Sequence, residues 1–281
     1  MTVGFVGLGN IGKPMALRLA SGGDLVVHDV APEPVTELVA AGATAAPSVA
    51  ELAGQVDVLC VMVRDDDQVR DVLGEILGVG GDGQTVVIHS TVAPDTPGQL
   101  EDTARRHGIK VVDAPVSGGA MGAGSGQLAL MVGGTDEAVA LIREPFAPMA
   151  SLVAHLGPIG AGTRAKLARN LITFASYVAV GEAMALAEAA GVDLLRLGDV
   201  VRHSDAVTGG PGTIMLRDTA GPMGPADGLR EPFLHARGLG EKDLQLALGL
   251  GADLGIDLPV ARLALDRLGA ALGVPHDDAP T

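Results

Sequence analysis

Apolar and polar residues follow two rhythms that take turns along the first 158 residues. Short apolar runs at 2–6, 25–29, 43–46, 56–63, 86–90, 110–113, 128–132 and 151–156 have the length and β-branched content of strands buried on both faces. Between them, segments 13–21, 34–41, 48–53, 68–77, 96–107 and 136–149 space their apolar residues three and four apart, as amphipathic helices do. Ser48 stands where the third of these needs an N-cap, and Asp66 and Asp67 are expected to cap the fourth. Strand–helix alternation of this kind predicts an α/β domain with a doubly wound, mostly parallel sheet. The alternation stops at Gly157-Pro158. Segment 160–190 then reads as one long helix, followed by helices at 193–202, 240–254 and 258–272 and no further strand. The predicted architecture is a doubly wound domain, 1–158, joined by the long helix to an all-α domain, 159–281. A loop rich in Gly and Pro is expected within 203–229, and a frayed tail at 276–281.

Composition narrows the function classes. With 47% hydrophobic residues the 281-residue chain can bury a large core. Its formal net charge of −15 argues against nucleic acid or an anionic membrane as partner. No uninterrupted apolar run reaches the roughly 18–20 residues of a membrane span, and a strand is expected directly after Met1, so neither a span nor a signal peptide is predicted. A soluble, cytoplasmic protein is the expectation. The single cysteine, Cys60, lies within an apolar run and reads as a core residue. Seven scattered histidines show no metal-ligand spacing, so no metal site is predicted. Of 19 basic residues only Lys13, Lys110, Lys166 and Lys242 are lysines. An ammonium can lose its proton when its pKa is lowered, which a guanidinium cannot do near neutral pH.

Three stretches carry candidate chemistry. Gly7-Leu8-Gly9-Asn10-Ile11-Gly12 lies between the first strand and the first helix, the setting in which G-x-G-x-x-G turns tightly and brings a pyrophosphate to a helix N-terminus. Asp29, ending the second strand, is placed to hydrogen-bond the adenosine ribose hydroxyls and to repel a 2′-phosphate, which indicates NAD rather than NADP. A turn-forming role is the bland alternative for Asp29. Ser90-Thr91 end a strand on the same sheet edge and could meet the nicotinamide ribose. The second stretch, Ser117-Gly118-Gly119, exposes backbone N–H groups suited to a carboxylate, though it could equally be a flexible turn. The third is the face of the long helix, where Thr163, Lys166, Asn170, Thr173 and Tyr177 form a polar stripe on an otherwise apolar rod. Such a stripe is a reaction surface or simply the solvated side of the helix.

Four segments together resemble the β-hydroxyacid dehydrogenase family, which includes 3-hydroxyisobutyrate dehydrogenase: residues 4–12, Asp113-Ala-Pro-Val-Ser-Gly-Gly119, the run from Gly160 to Asn170, and Lys242-Asp243-Leu244. The resemblance spans nearly the whole chain and implies a Rossmann domain followed by a helical domain resembling that of 6-phosphogluconate dehydrogenase. It implies that Ser117, Gly118 and Gly119 hold a substrate carboxylate, that Lys166 is the acid and base, and that Asn170 orients the substrate. By the same resemblance Lys242 approaches the cofactor and Thr91 occupies the place of the family's nicotinamide-side hydroxyl residue, whereas Val63-Arg64 replaces a frequent Leu-Pro at the cofactor edge. Arg169 stands where the family often has an asparagine. The implied activity is NAD-dependent hydride exchange with a small β-hydroxyacid or semialdehyde, sugar phosphates being disfavoured. Imine reductases share the architecture but usually carry Asp or Tyr where Lys166 stands. A cofactor-binding protein without catalysis would need neither Lys166 nor Asn170. A helix of about 30 residues is about 45 Å long, and its apolar surplus predicts a homodimer or tetramer.

Overall fold

The computed structural model describes residues 1–81 and 83–276, so the tail expected at 276–281 lies, beyond His276, outside the described residues. The strands are β1 (Val3–Val6), β2 (Leu25–His28), β3 (Thr44–Ala45), β4 (Val58–Val61), β5 (Thr85–Ile88), β6 (Lys110–Asp113), β7 (Val116–Ser117), β8 (Leu128–Gly133) and β9 (Ala150–Gly157). The helices are α1 (Gly12–Ala20), α2 (Pro32–Ala40), α3 (Val49–Ala53), α4 (Asp66–Leu77), α5 (Thr96–Ala104), α6 (Gly119–Ser125), α7 (Asp136–Phe146), α8 (Ala161–Ala189), α9 (Leu194–Thr208), α10 (Arg230–Leu254) and α11 (Pro259–Ala271). The chain divides into two compact units, Met1–Asn170 and Leu171–Thr281.

In the first unit the strand order is β3-β2-β1-β4-β5-β6-β8-β7, with β9 beside β8. The first six strands run parallel in the doubly wound order 3-2-1-4-5-6, and β8 is antiparallel to β6. Strand β4 shows why the runs are uninterrupted: Val58 and Cys60 enter the core on one side of the sheet, and Leu59 and Val61 that on the other. Burial pushes the Cys60 thiol up, so it stays protonated and serves as packing. The order reverses between β1 and β4, which places a crevice beyond their C-terminal ends.

Some boundaries differ from the expectation for physical reasons. Asp65, rather than Asp66 or Asp67, caps α4 by accepting from the Gln68 N–H at 3.0 Å. Asp66 instead accepts from the Ala93 N–H at 3.0 Å and from the Thr96 hydroxyl, pinning the β5–α5 connection. The Gly-rich segment after β6, read from sequence without regular structure, forms β7 and α6. Helix α9 runs six residues past 202, and α10 starts ten residues before 240, where Phe233 packs with Leu272 and Val274. The compact units divide at 170/171, because the entry of α8 is built into the sheet unit: Gly162 and Thr163 are its buried residues.

Helix α8 leaves much of its apolar side open, and one member of the expected polar stripe is buried. Leu171 is 71% exposed and Phe174 61%, and Leu167, Ile172 and Val178 are exposed as well. Thr163, placed on the stripe by its spacing, is fully buried. By length and composition α8 could cross a membrane, with only 6% of its most apolar 18-residue window buried. The sequence reading missed this because it counted uninterrupted apolar residues, whereas mean hydropathy tolerates Thr173, Ser176 and a single Glu182. That Glu182 accepts from the Val260 and Ala261 N–H groups at 2.7 and 3.1 Å, capping α11 within the second unit.

Candidate active site

The loop after β1 is shaped by two glycines with no room for a side chain. Gly7 has φ +93°, and a Cβ there would collide with the Met62 carbonyl; one on Gly12 would collide with the carbonyl of Gly7. Gly9, between them, faces open space. Ile11 at the N-cap of α1 provides no side-chain acceptor; within the first turn the Lys13 N–H donates to the Gly9 carbonyl at 3.0 Å and Pro14 has none, so the backbone that lines the cavity is that of Gly9 to Gly12. The loop borders a cavity of about 670 Å³, whose lining includes Gly9, Asn10, Asp29, Val63, Arg64 and Asp71. A bare-backbone glycine turn at a helix N-terminus and a cavity of this size fit a dinucleotide.

Asp29 is both a lining residue and a loop former. Its Oδ2 accepts from the Leu8 N–H at 2.5 Å and its Oδ1 from the Ala31 N–H at 2.8 Å, tying the glycine loop to the end of β2. On the other wall, the Ser90 hydroxyl donates to the Val63 carbonyl at 2.8 Å and accepts from the Val63 N–H at 2.9 Å. Ser90 is therefore spent on holding Val63, while Thr91 is exposed. The neighbouring His89 is fully buried, and desolvation holds its pKa down to about 4 against the Ala114 carbonyl at 2.8 Å. It remains neutral and serves the core.

A second group forms where β7 meets α8. The half-buried Lys166 Nζ donates to the Val116 carbonyl at 2.6 Å, one residue before Ser117. Its remaining protons are free to serve another acceptor. Desolvation lowers the Lys166 pKa below the usual lysine range, and the charge of Arg169, one turn along, lowers it further. Arg169 Nη1 also approaches Asn170 Oδ1 at 3.4 Å. Gly118 (φ +129°) and Gly119 (φ +62°) adopt backbone conformations that suit glycine, at the junction from which α6 starts. Lys166 and the Ser117-Gly118-Gly119 run thus meet in the first unit. Lys242 belongs to the second unit, where it pairs with Asp243 at 2.7 Å. Among the described residues no cluster of His, Cys, Asp and Glu could hold a metal.

One polar residue escaped the sequence reading of the site. Asp113 is fully buried, and its carboxylate accepts from the N–H groups of Gly160 and Thr163 at 2.7 and 2.6 Å. The available signal was an acid ending an apolar strand, as at Asp29.

Two family models match the chain, one on either side of the entry to α8. Residues 2–157 match the model of the NAD binding domain of 6-phosphogluconate dehydrogenase, and residues 160–279 that of the NAD-binding domain of NADP-dependent 3-hydroxyisobutyrate dehydrogenase. An uncharacterized oxidoreductase of Mycobacterium tuberculosis is 54% identical over 98% of this chain and 95% of its own length. A probable 3-hydroxyisobutyrate dehydrogenase of the same organism is 31% identical over 99% of this chain and 94% of its own length. The crystal structure of an oxidoreductase by assignment from Mycobacterium avium superimposes with a TM-score of 0.94 at 51% identity, covering 98% of this chain and 99% of that one. An imine reductase from Pseudomonas, at 22% identity and a TM-score of 0.76, shares the fold over 97% of this chain and 94% of its own.

Proposed function

Because the chain belongs to the β-hydroxyacid dehydrogenase family, with an NAD(P)-binding first domain, we propose that it interconverts a small hydroxyacid and its semialdehyde using NAD, with Lys166 as acid and base. The observation that carries this reading is the half-buried Lys166 ammonium held on the Val116 carbonyl beside Ser117. When bound, the nicotinamide ring supplies the hydride exchange with the alcohol carbon. In oxidation, neutral Lys166 takes the hydroxyl proton as the carbonyl double bond forms; in reduction its ammonium returns that proton to the carbonyl oxygen. The backbone N–H groups around Gly118 and Gly119 hold the substrate carboxylate, and Asn170, one turn beyond Lys166, orients the alcohol. A purely cofactor-binding role would leave this lysine without a use. The test is NAD-dependent turnover over a panel of small hydroxyacids and semialdehydes, with no turnover on any of them contradicting the proposal.

The preference for NAD is drawn from the charge around the cavity. Asp29, Asp71 and Glu75 line it, and its one lining guanidinium, Arg64, is exposed and paired with Asp65 at 3.0 Å. A 2′-phosphate would meet mostly like charge there. NAD is therefore expected to give the higher kcat/KM, and Asp29→Ala to narrow the gap by weakening NAD use, measured as the ratio of kcat/KM for the two cofactors. A wild-type preference for NADP would contradict this assignment.

We further propose that a second copy of the chain covers the exposed face of α8. Glu182 is committed to α11, so sinking this face into lipid would carry a carboxylate and its capped helix along. Phe174, Tyr177 and Val178, each more than half exposed, give a protein partner a compact aromatic and aliphatic surface. Light scattering at micromolar concentration should report at least a dimer, and a monomer would contradict the proposal.

A further inference from the structure

We propose that Asp113 is the positioning residue of this site: its buried carboxylate clamps the first turn of α8 and so fixes where Lys166 stands. The inference rests on the reading of Lys166 as acid and base, and adds to it the part that holds the lysine in place. Asp113 ends β6 and pairs with Gly133 of β8, so its backbone is fixed by the sheet. Its Oδ1 accepts from the Gly160 N–H at 2.7 Å and its Oδ2 from the Thr163 N–H at 2.6 Å, across 47 and 50 residues of chain. Both donors lie at the entry of α8, where helix N–H groups have no carbonyl within the helix to bond and negative charge is favoured. The residue just ahead of α8 is Gly160, with no side chain to serve as cap, and an acid from the neighbouring strand does that work instead.

The turn is also brought in close. A Cβ on Gly162 would run into the Met131 carbonyl and lie 2.8 Å from that of Asp113, so only glycine lets α8 approach β6 and β8 this nearly. Two contacts then fix the register between the segment from Asp113 to Ser117 and the helix. Asp113 holds Thr163, and Val116, three residues on, receives Lys166, three residues on. Freed at the first point, the helix would keep its packing at Gly162 but lose the paired hydrogen bonds that set the register for the second. Burial pushes the Asp113 carboxyl up, opposed by the N–H groups of Thr163 and Gly160. A carboxylate this deep is costly unless such donors satisfy it, so its bonds to α8 hold strand and helix together.

Asp113→Asn keeps the shape but turns an amide NH2 toward one of the two backbone donors, releasing one end of the turn. The expected result is a fall in kcat of about tenfold to a hundredfold, the cost of displacing a reacting group by about 1 Å. NAD affinity and the KM for NAD should be unchanged, because the glycine loop lies on other strands. A lower Tm with wild-type kcat at low temperature would overturn the proposal, since a merely structural residue gives that pattern. Lys166→Arg is assayed alongside. If it stays active, the reading of Lys166 fails; if it is inactive while Asp113→Asn retains full kcat, only the positioning role fails. Should Asp113→Asn not fold, amide exchange on the wild-type protein decides. The Gly160 and Thr163 N–H groups should be protected like those of the sheet, and exchange as fast as in an exposed loop would overturn the clamp.

Discussion

Lys166→Arg is expected to lower kcat by about 10²–10⁴ while leaving NAD binding intact. The substitution keeps a positive charge three residues from Arg169, so general electrostatics at the site change little. What changes is acidity: a guanidinium keeps its proton throughout the working pH range and cannot accept one from an alcohol. Shape changes as well, because a planar fork replaces a compact ammonium that now donates to the Val116 carbonyl at 2.6 Å. Nicotinamide fluorescence should follow cofactor binding unchanged in the variant. Retention of more than about a tenth of wild-type kcat would reduce Lys166 to an electrostatic anchor.

Gly12→Ala should act at the other end of the chemistry, on cofactor affinity. The added methyl collides with the Gly7 carbonyl, backbone that cannot swing aside as a side-chain tip can, and close to the Phe5 ring at 3.2 Å. Either α1 moves out or the loop after β1 opens, and each withdraws the N–H groups meant for the pyrophosphate. Overpacking of this kind costs about 1–3 kcal/mol, which on binding is roughly a 5- to 150-fold weaker Kd for NAD. Gly9→Ala is the control, since its methyl meets no protein atom within 4 Å; thermal unfolding should show it folding with wild-type stability, and calorimetric titration reads the NAD affinity of both variants. Unchanged NAD affinity in Gly12→Ala would mean that the loop does not cradle the cofactor.

The parallel sheet was legible because its central strands are buried on both faces, and the unbroken runs at β4 and β5 say so directly. The glycine loop was legible for a similar reason, being placed between a strand and a helix. Lys166 stood out by residue choice: Lys13 pairs with Glu37 and Lys242 with Asp243, whereas Lys166 is half-buried on a backbone carbonyl. Three kinds of feature were illegible. β7 and α6 lie in a Gly-rich segment whose small side chains carry no periodicity. The start of α10 was hidden by Gly238 and Gly240, poor helix formers that packing at Phe233 overrides. Asp113 was passed over because its partners, Gly160 and Thr163, are 47 and 50 residues away, and only the folded sheet brings them together.

The most direct test of the central claim is the pH dependence of kcat/KM in both directions, for the wild type and for Lys166→Arg. Oxidation needs neutral Lys166 and should rise as pH increases through its pKa, whereas reduction needs the ammonium and should fall through the same pKa. Half-burial and Arg169 place that midpoint below the usual lysine range. Matching, opposite limbs that vanish in Lys166→Arg are the predicted result; limbs that persist unchanged in the variant would show that another group carries the proton.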